Sequence, residues 1–233
     1  MLNTRRSVTA LLALVFAVNY VETSAEGWFR KSSYLSNDRR YQNAEAAHWL
    51  EGYTTFEYQE ATGPIAVYGY SAAYFFLFPL LGLGLLLALA RRKDMSGYRK
   101  LAIAAALDYS ISVPFYVFFP VPERWAYPEA MATLLSDQWD ARLIAAIRPM
   151  SGLDNCFPSF HVSLTVIMIA VCYVYRIRLR TVVSALGCAV ILSTYVLGIH
   201  WVADIAAGLA AGLLSFAVAM RIHKSLPRNG SAR

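Results

Sequence analysis

The sequence predicts an all-α polytopic membrane protein: a six-transmembrane-helix bundle with an extracytoplasmic amphipathic helix after the first span. Three observations lead there. Of 233 residues, 58% are hydrophobic and 15% charged, and mean hydropathy is +0.43; soluble domains run at roughly 45–50% apolar and about 25% charged. The apolar residues gather into runs near the ~20 residues that a bilayer core requires. Lys and Arg crowd the short connections on one side of those runs. Such a composition excludes a disordered chain, a collagen and a disulfide-stapled secreted domain.

Taken in order, Ser7 to Tyr20 is apolar behind Arg5 and Arg6. It has the look of a secretory leader, but no small-residue cleavage site follows, so it is read as an uncleaved first span. Ile65 to Ala90 is the second span, Leu101 to Pro120 the third and Phe160 to Tyr175, the shortest in apolar content, the fourth. Thr181 to Ile199 and Val202 to Met220 are the fifth and sixth, joined by a very short turn. All six belong to one integral membrane domain covering residues 1–233, with 22–64 as an extracytoplasmic segment and 121–221 as the part that carries chemistry.

Charge sets the orientation. With both termini in the cytoplasm, fourteen of the 21 Lys and Arg fall on inside segments, among them Arg91, Arg92, Lys93, Arg99, Lys100, Arg176, Arg178 and Arg180. Acidic residues run the other way: Asp94 alone is inside, and twelve lie outside. Short inside loops are where the positive-inside rule operates. The net charge of +6 and pI near 9.3 therefore reflect topology and give no indication of a nucleic-acid partner.

Within the first outer segment, Ala46, Ala47, Leu50 and Tyr53 recur at helical spacing against Glu45, His48 and Glu51. This predicts an amphipathic helix, lying either at the membrane surface or as a soluble cap over the bundle. The cysteines are Cys156, Cys172 and Cys188; only Cys156 lies outside the spans, so no disulfide is implied. No Cys/His zinc spacing occurs. Cys156, two residues before Pro158, is a candidate thiol nucleophile, although the neighbouring histidines account for the site more simply.

Ionisable residues inside a bilayer cost on the order of 2.5–3.5 kcal/mol at a helix centre and are functional candidates by default. Four stand out: Asp108, His161, His200 and Asp204. Asp108 either anchors an acceptor hydroxyl or bonds a neighbouring helix, the plainer reading for a lone membrane carboxylate. His200 and Asp204, four apart, share a face if the sixth helix begins just before His200, and a carboxylate on one imidazole nitrogen leaves the other basic and nucleophilic. Pro158-Ser159-Phe160-His161 reads as a helix start, with Ser159 as cap and free amides suited to phosphate. The charge-derived topology puts His161 and His200 in one layer at the outer face.

Phe157-Pro158-Ser159-Phe160-His161 and Ser193-Thr194-Tyr195-Val196-Leu197-Gly198-Ile199-His200-Trp201-Val202-Ala203-Asp204 resemble the last two signature motifs of the type-2 phosphatidic acid phosphatase superfamily. Those motifs are Pro-Ser-Gly-His, then Ser-Arg, five residues, His, three residues and Asp. The two histidines stand 39 residues apart, a spacing like the family's, and the six-span layout is also similar. Phe160 replaces the motif glycine, and Thr194 stands where an arginine would bind phosphate. In the first motif, Arg148-Pro149 fits, but Ala141 occupies the lysine position, with Arg142 out of register. These departures, with Phe119-Pro120-Val121-Pro122-Glu123-Arg124-Trp125, resemble the inositol phosphorylceramide synthases and related lipid headgroup transferases.

The resemblance implies an integral membrane enzyme that needs neither cofactor nor metal. In it, His200 attacks a lipid phosphoester and becomes phosphohistidine, Asp204 orients His200, and His161 serves as acid and then base. Arg148 is the first choice for holding the phosphate and Arg124 the second, although phospholipid headgroup contact explains Arg124 equally well. The amides at Ser159 and Phe160 and the Ser193 hydroxyl complete the set. Partners are then a lipid phosphate, an alcohol acceptor such as inositol or another polyol or lipid, and the bilayer itself. With water as acceptor the same site is a lipid or polyprenyl phosphate phosphatase. A non-catalytic transport or binding relative is the remaining class.

Overall fold

The computed structural model describes residues 5–31, 37–51, 55–138 and 153–224. Helix α1 spans Arg5–Lys31, α2 Asn37–Glu51 and α3 Thr55–Ala61. Helix α4 runs Pro64–Arg91 through a π-helical stretch at Ala73–Leu77, and α5 covers Met95–Phe118. Helices α6, α7 and α8 are Phe160–Val174, Arg180–Val196 and Val202–Lys224. Among the described residues there is no strand, only an isolated parallel bridge between Val121 and Asn155. The protein is an all-α, polytopic membrane protein.

Six apolar helices coincide with the six expected spans. Four of them, α1, α4, α5 and α8, are long and apolar enough to cross a bilayer by length and composition. Helices α6 and α7, at 15 and 17 residues, rise about 23 and 26 Å against a hydrocarbon core of about 30 Å. Helix α1 continues past Tyr20 to Lys31, into what was expected to be outer segment. The third span starts earlier than expected because the Asp94 carboxylate caps it, accepting the Gly97 amide at 3.0 Å. The fifth ends earlier, at Val196, where Gly198 takes φ +77°. A side chain at Gly198 would meet the Thr133 carbonyl at 2.4 Å, so both backbone and space demand glycine there.

Leu89, Leu101, Ile167, Met168, Val171 and Cys172 form the main buried core between α4, α5 and α6. Helix α1 lays Val8 and Leu12 against Ala102 and Ala105 of α5. Helix α8 meets α6 through Gly208 and Gly212, where an added Cβ would sit 2.6 Å from the Ser159 carbonyl and 2.4 Å from the Ser163 carbonyl. This small-xxx-small spacing lets backbones touch, the usual route to helix packing when lipid removes the hydrophobic drive.

Helix α2 is present, but its inner face differs from the expected one. Ala44 and Ala47 are buried, whereas Ala46 and Leu50 are exposed and Trp49 is 81% exposed. The docked face packs Ala44 and Ala47 with Tyr127 and Trp201, and Asn43 donates to the Pro120 carbonyl at 2.8 Å. Small side chains and specific polar partners seat the helix as a cap on the bundle. A greasy stripe does not define its inner face.

Candidate active site

A strap of residues 119–125 ties the site together. The Val121 and Glu123 amides donate to the carbonyls of Asp154 and Leu153, and the Cys156 amide returns to the Val121 carbonyl. On the other side, the Arg124 and Trp125 amides donate to the Ile199 and Gly198 carbonyls at 3.0 and 2.9 Å. Trp201, wholly buried, donates its indole N–H to the Pro122 carbonyl at 3.0 Å. One short segment thus holds both the approach to α6 and the turn into α8.

That arrangement brings the two histidines together. His161 lies in the first turn of α6; His200 lies in the α7–α8 turn, where its amide donates to the Thr194 carbonyl at 2.9 Å. Their ring centroids are 6.2 Å apart. The sixth helix begins at Val202, not before His200 as the shared-face argument required. Asp204 reaches His200 by another route. It sits at the third helical position, and its Oδ2 accepts the Trp201 amide at 2.9 Å, the carboxylate half of a capping box. The same oxygen stands 3.4 Å from His200 Nδ1. The other, Oδ1, is buried with no hydrogen-bond partner among the described residues.

Both histidines line a cavity of about 230 Å³, bounded on its apolar side by Phe16, Tyr74 and Phe78 and on its polar side by Glu123, Asn155 and Cys156. His161 is packed by aromatics: Tyr74 stacks on it at 4.3 Å and Phe78 lies tilted against it at 4.5 Å. Tyr74 sits in the π-helical stretch of α4, which precedes Pro79. Proline withholds one backbone donor, and the wider turn accommodates the missing bond while re-aiming side chains.

The remaining expected residues fall as follows. Arg148, like Ala141 and Arg142, lies outside the described residues. Arg124 is fully buried: Nη1 pairs with Glu51 Oε1 at 2.7 Å, Nη2 donates to the Tyr58 hydroxyl at 2.6 Å, and the guanidinium lies 4.5 Å above the Tyr195 ring. Burial holds the Tyr58 phenol above its usual pKa, against the pull of the Arg124 charge, so it stays neutral. Ser159 caps α6, its Oγ accepting the Val162 amide at 3.4 Å. Its own amide donates to the Asp204 carbonyl at 3.1 Å and so is spent, contrary to the expectation that it serves phosphate. The Phe160 and His161 amides belong to a first turn without intrahelical acceptors. The Ser193 hydroxyl donates to the Val190 carbonyl at 2.6 Å. Asp108 accepts the Ser163 hydroxyl at 2.6 Å, joining α5 to α6, and is absent from the cavity lining.

Sequence reasoning missed Tyr74, Phe78 and Asn155, and it quoted Glu51 and Glu123 only as members of a helix face and of a motif, with no role at the site. Trp201, between His200 and Val202, was quoted only as part of the motif. As for metals, Cys156, His200 and Asp204 place one donor atom each within 4.8 Å of one another.

A model of the PAP2 superfamily matches residues 43–218. That is well over half of the chain, which therefore belongs to the PAP2 superfamily and is a membrane enzyme of the lipid phosphatase and phosphotransferase type. No curated protein and no solved structure matches it.

Proposed function

We propose that this enzyme transfers a phospho-headgroup from a monoanionic lipid phosphodiester to an alcohol acceptor through a phosphohistidine on His200. The observation that carries the reading is the pair of histidines 6.2 Å apart on one cavity, with Asp204 behind one of them.

Asp204 accepts the His200 Nδ1 proton and leaves the Nε2 lone pair to attack phosphorus. At 3.4 Å that bond is long, and such contacts tighten once substrate is bound. As the N–P bond forms, the P–O bond to the leaving group breaks and His161 gives that oxygen a proton. In the second half His161 takes a proton from the acceptor hydroxyl, whose oxygen displaces His200 from phosphorus. Arg148 and the Phe160 and His161 amides hold the equatorial oxygens, where charge stabilisation and positioning do most of the work. Arg124, already paired with Glu51, adds its charge from behind the His200 turn and fixes that turn in place.

The preference for a diester and a transferase follows from charge. No lysine or arginine is among the described residues lining the cavity, and Glu123 is there. Thr194 and Ala141 replace two cations. Each charge-assisted hydrogen bond contributes about 1.5–3 kcal/mol, and a dianionic monoester suffers more from their absence than a monoanion. Hydrolysis of lipid phosphates by the same histidines is the competing reading. The charge asymmetry supports six spans, cytoplasmic termini and a site open to the extracytoplasmic leaflet.

The test compares kcat/KM for phosphatidic acid, phosphatidylinositol and a polyprenyl-linked diester in matched nanodiscs. Mass spectrometry of the products, with and without inositol or other polyols, separates transfer from hydrolysis. Diester turnover with transfer is expected, and Arg148→Ala should rank just below the histidine variants in damage. A clear monoester preference with Arg148→Ala near wild type would return the protein to phosphatase chemistry.

A further inference from the structure

We propose that Cys156, His200 and Asp204 form a binding site for a borderline-soft divalent transition metal, zinc first among them, and that filling it switches the enzyme off. Cys156 Sγ, a ring nitrogen of His200 and a carboxylate oxygen of Asp204 lie within 4.8 Å of one another, all on buried residues. Nδ1 would be the His200 donor, because that nitrogen faces Asp204 Oδ2 at 3.4 Å. A thiolate, an imidazole and a carboxylate are the ligand types that zinc takes, with a fourth position left open toward the cavity.

Two details of the geometry favour a metal over a purely protic cluster. The separation of His200 Nδ1 and Asp204 Oδ2, 3.4 Å, is long for a charge-assisted hydrogen bond yet equals the edge of a tetrahedron with arms of about 2.0–2.1 Å. Asp204 Oδ1, buried and without a partner among the described residues, supplies an acceptor that only a cation or a further donor would satisfy. Bringing Sγ onto the same centre requires a movement of about 1 Å for Zn–S near 2.3 Å. Sγ now makes a 3.8 Å contact with the Ile199 carbonyl. The charge of the filled site also closes: one thiolate and one carboxylate neutralise a dication, while Arg124 is held by Glu51.

Binding displaces two protons from their present places. The Cys156 thiol proton passes to solvent as the S–metal bond forms. Neutral imidazole carries a single N–H, so a metal on Nδ1 moves that proton to Nε2. The Nε2 lone pair that would attack phosphorus is then gone. The inhibitory half of this inference rests on His200 being the nucleophile; the binding half does not.

The experiment uses the full chain in nanodiscs after chelation. Titration with Co²⁺ should give a thiolate-to-cobalt charge-transfer band, and equilibrium dialysis should return one Zn²⁺ per chain. Cys156→Ser should abolish the band and weaken zinc binding by more than the roughly 10–100-fold lost with a mere supporting residue. Cys172→Ser and Cys188→Ser should keep both. On wild type alone, saturating zinc should slow alkylation of Cys156. Absence of the band in wild type, its survival in Cys156→Ser, or unchanged alkylation would overturn the site. With the site shown, zinc should block ³²P transfer onto His200, and chelator should restore it. Full phosphorylation at saturating zinc would overturn the switch. A chain that forms no phosphohistidine even without zinc would instead sink the proposed mechanism, and the cobalt band would still decide the site.

Discussion

Removing the negative partner of Arg124 should unseat the turn that carries His200. Glu51 and Arg124 are 2.7 Å apart with side chains 2% and 0% exposed. The second Glu51 oxygen accepts the Val202 amide at 3.3 Å, so the same carboxylate anchors the cap helix and closes the first turn of α8, two residues from Asp204. In Glu51→Leu the Arg124 charge remains buried without its counterion and a helix-end donor loses its acceptor. Breaking a buried pair from one side costs about 3–5 kcal/mol. For a chain of this length that is a fall in melting midpoint of roughly 6–20 °C, at about 2–4 °C per kcal/mol. Arg124→Leu should cost a similar amount. The double variant should recover much of the loss, because the desolvation of both ions vanishes together. The assay is thermal unfolding of all four proteins in matched nanodiscs, treated as a double-mutant cycle. Single variants within about 1 kcal/mol of wild type, or a double variant whose loss equals the sum of the singles, would refute a buried, coupled pair.

His200→Ala should abolish turnover and ³²P incorporation, while His161→Ala should slow turnover severely yet still accumulate phosphoenzyme from a donor with a good leaving group; both variants within severalfold of wild type would end the two-histidine scheme. Gly212→Ala puts a Cβ 2.4 Å from the Ser163 carbonyl, and overpacking of this kind costs about 1–3 kcal/mol, readable as a lower melting midpoint, whereas Gly84→Ala, with open space around it, should be neutral. Cysteines introduced beside Arg92 and beside Met150, in a background lacking native thiols, should label from opposite sides of sealed vesicles; labelling from one side would break the six-span topology.

The apolar helices and the closeness of the two histidines were legible in the sequence for a plain reason. Long apolar runs and ionisable residues inside them are both costly to place elsewhere, so each carries a large and local signal. The face of α2 was not legible, because what buries it is Ala44 and Ala47, too small to mark a stripe. Its polar anchors, Asn43 and Glu51, find partners 77 and 73 residues away. The start of the sixth span at Val202 was legible, but the non-helical link between His200 and Asp204 was not. Gly198 ends α7 and Asp204 works as a capping carboxylate, so the His200–Asp204 spacing of four reads as helical although His200 is not in the helix. The aromatic packing on His161 depends on a π-helical stretch in α4. Nothing in the local pattern around Tyr74 announces that stretch beyond the nearby Pro79.

The separation of the two histidines is set by two independent constraints, and they act at different ends of the site. Helix packing at Gly208 and Gly212 fixes how close α6 lies to α8, which sets the height of His161 against Asp204; the bond from the Ser159 amide to the Asp204 carbonyl locks that height. The strap fixes the second coordinate. By bonding the 153–156 segment on one side and the Gly198–Ile199 carbonyls on the other, it sets how far the His200 turn stands from the start of α6. Both constraints act through backbone bonds and glycine packing; on the strap side the residues they join include Glu123, Asn155, Cys156 and Ile199, which also line the cavity. A cavity-lining position such as Phe16 is therefore free to change the fit of the cavity without moving the histidines, whereas a change in the strap reaches His200 and His161 together.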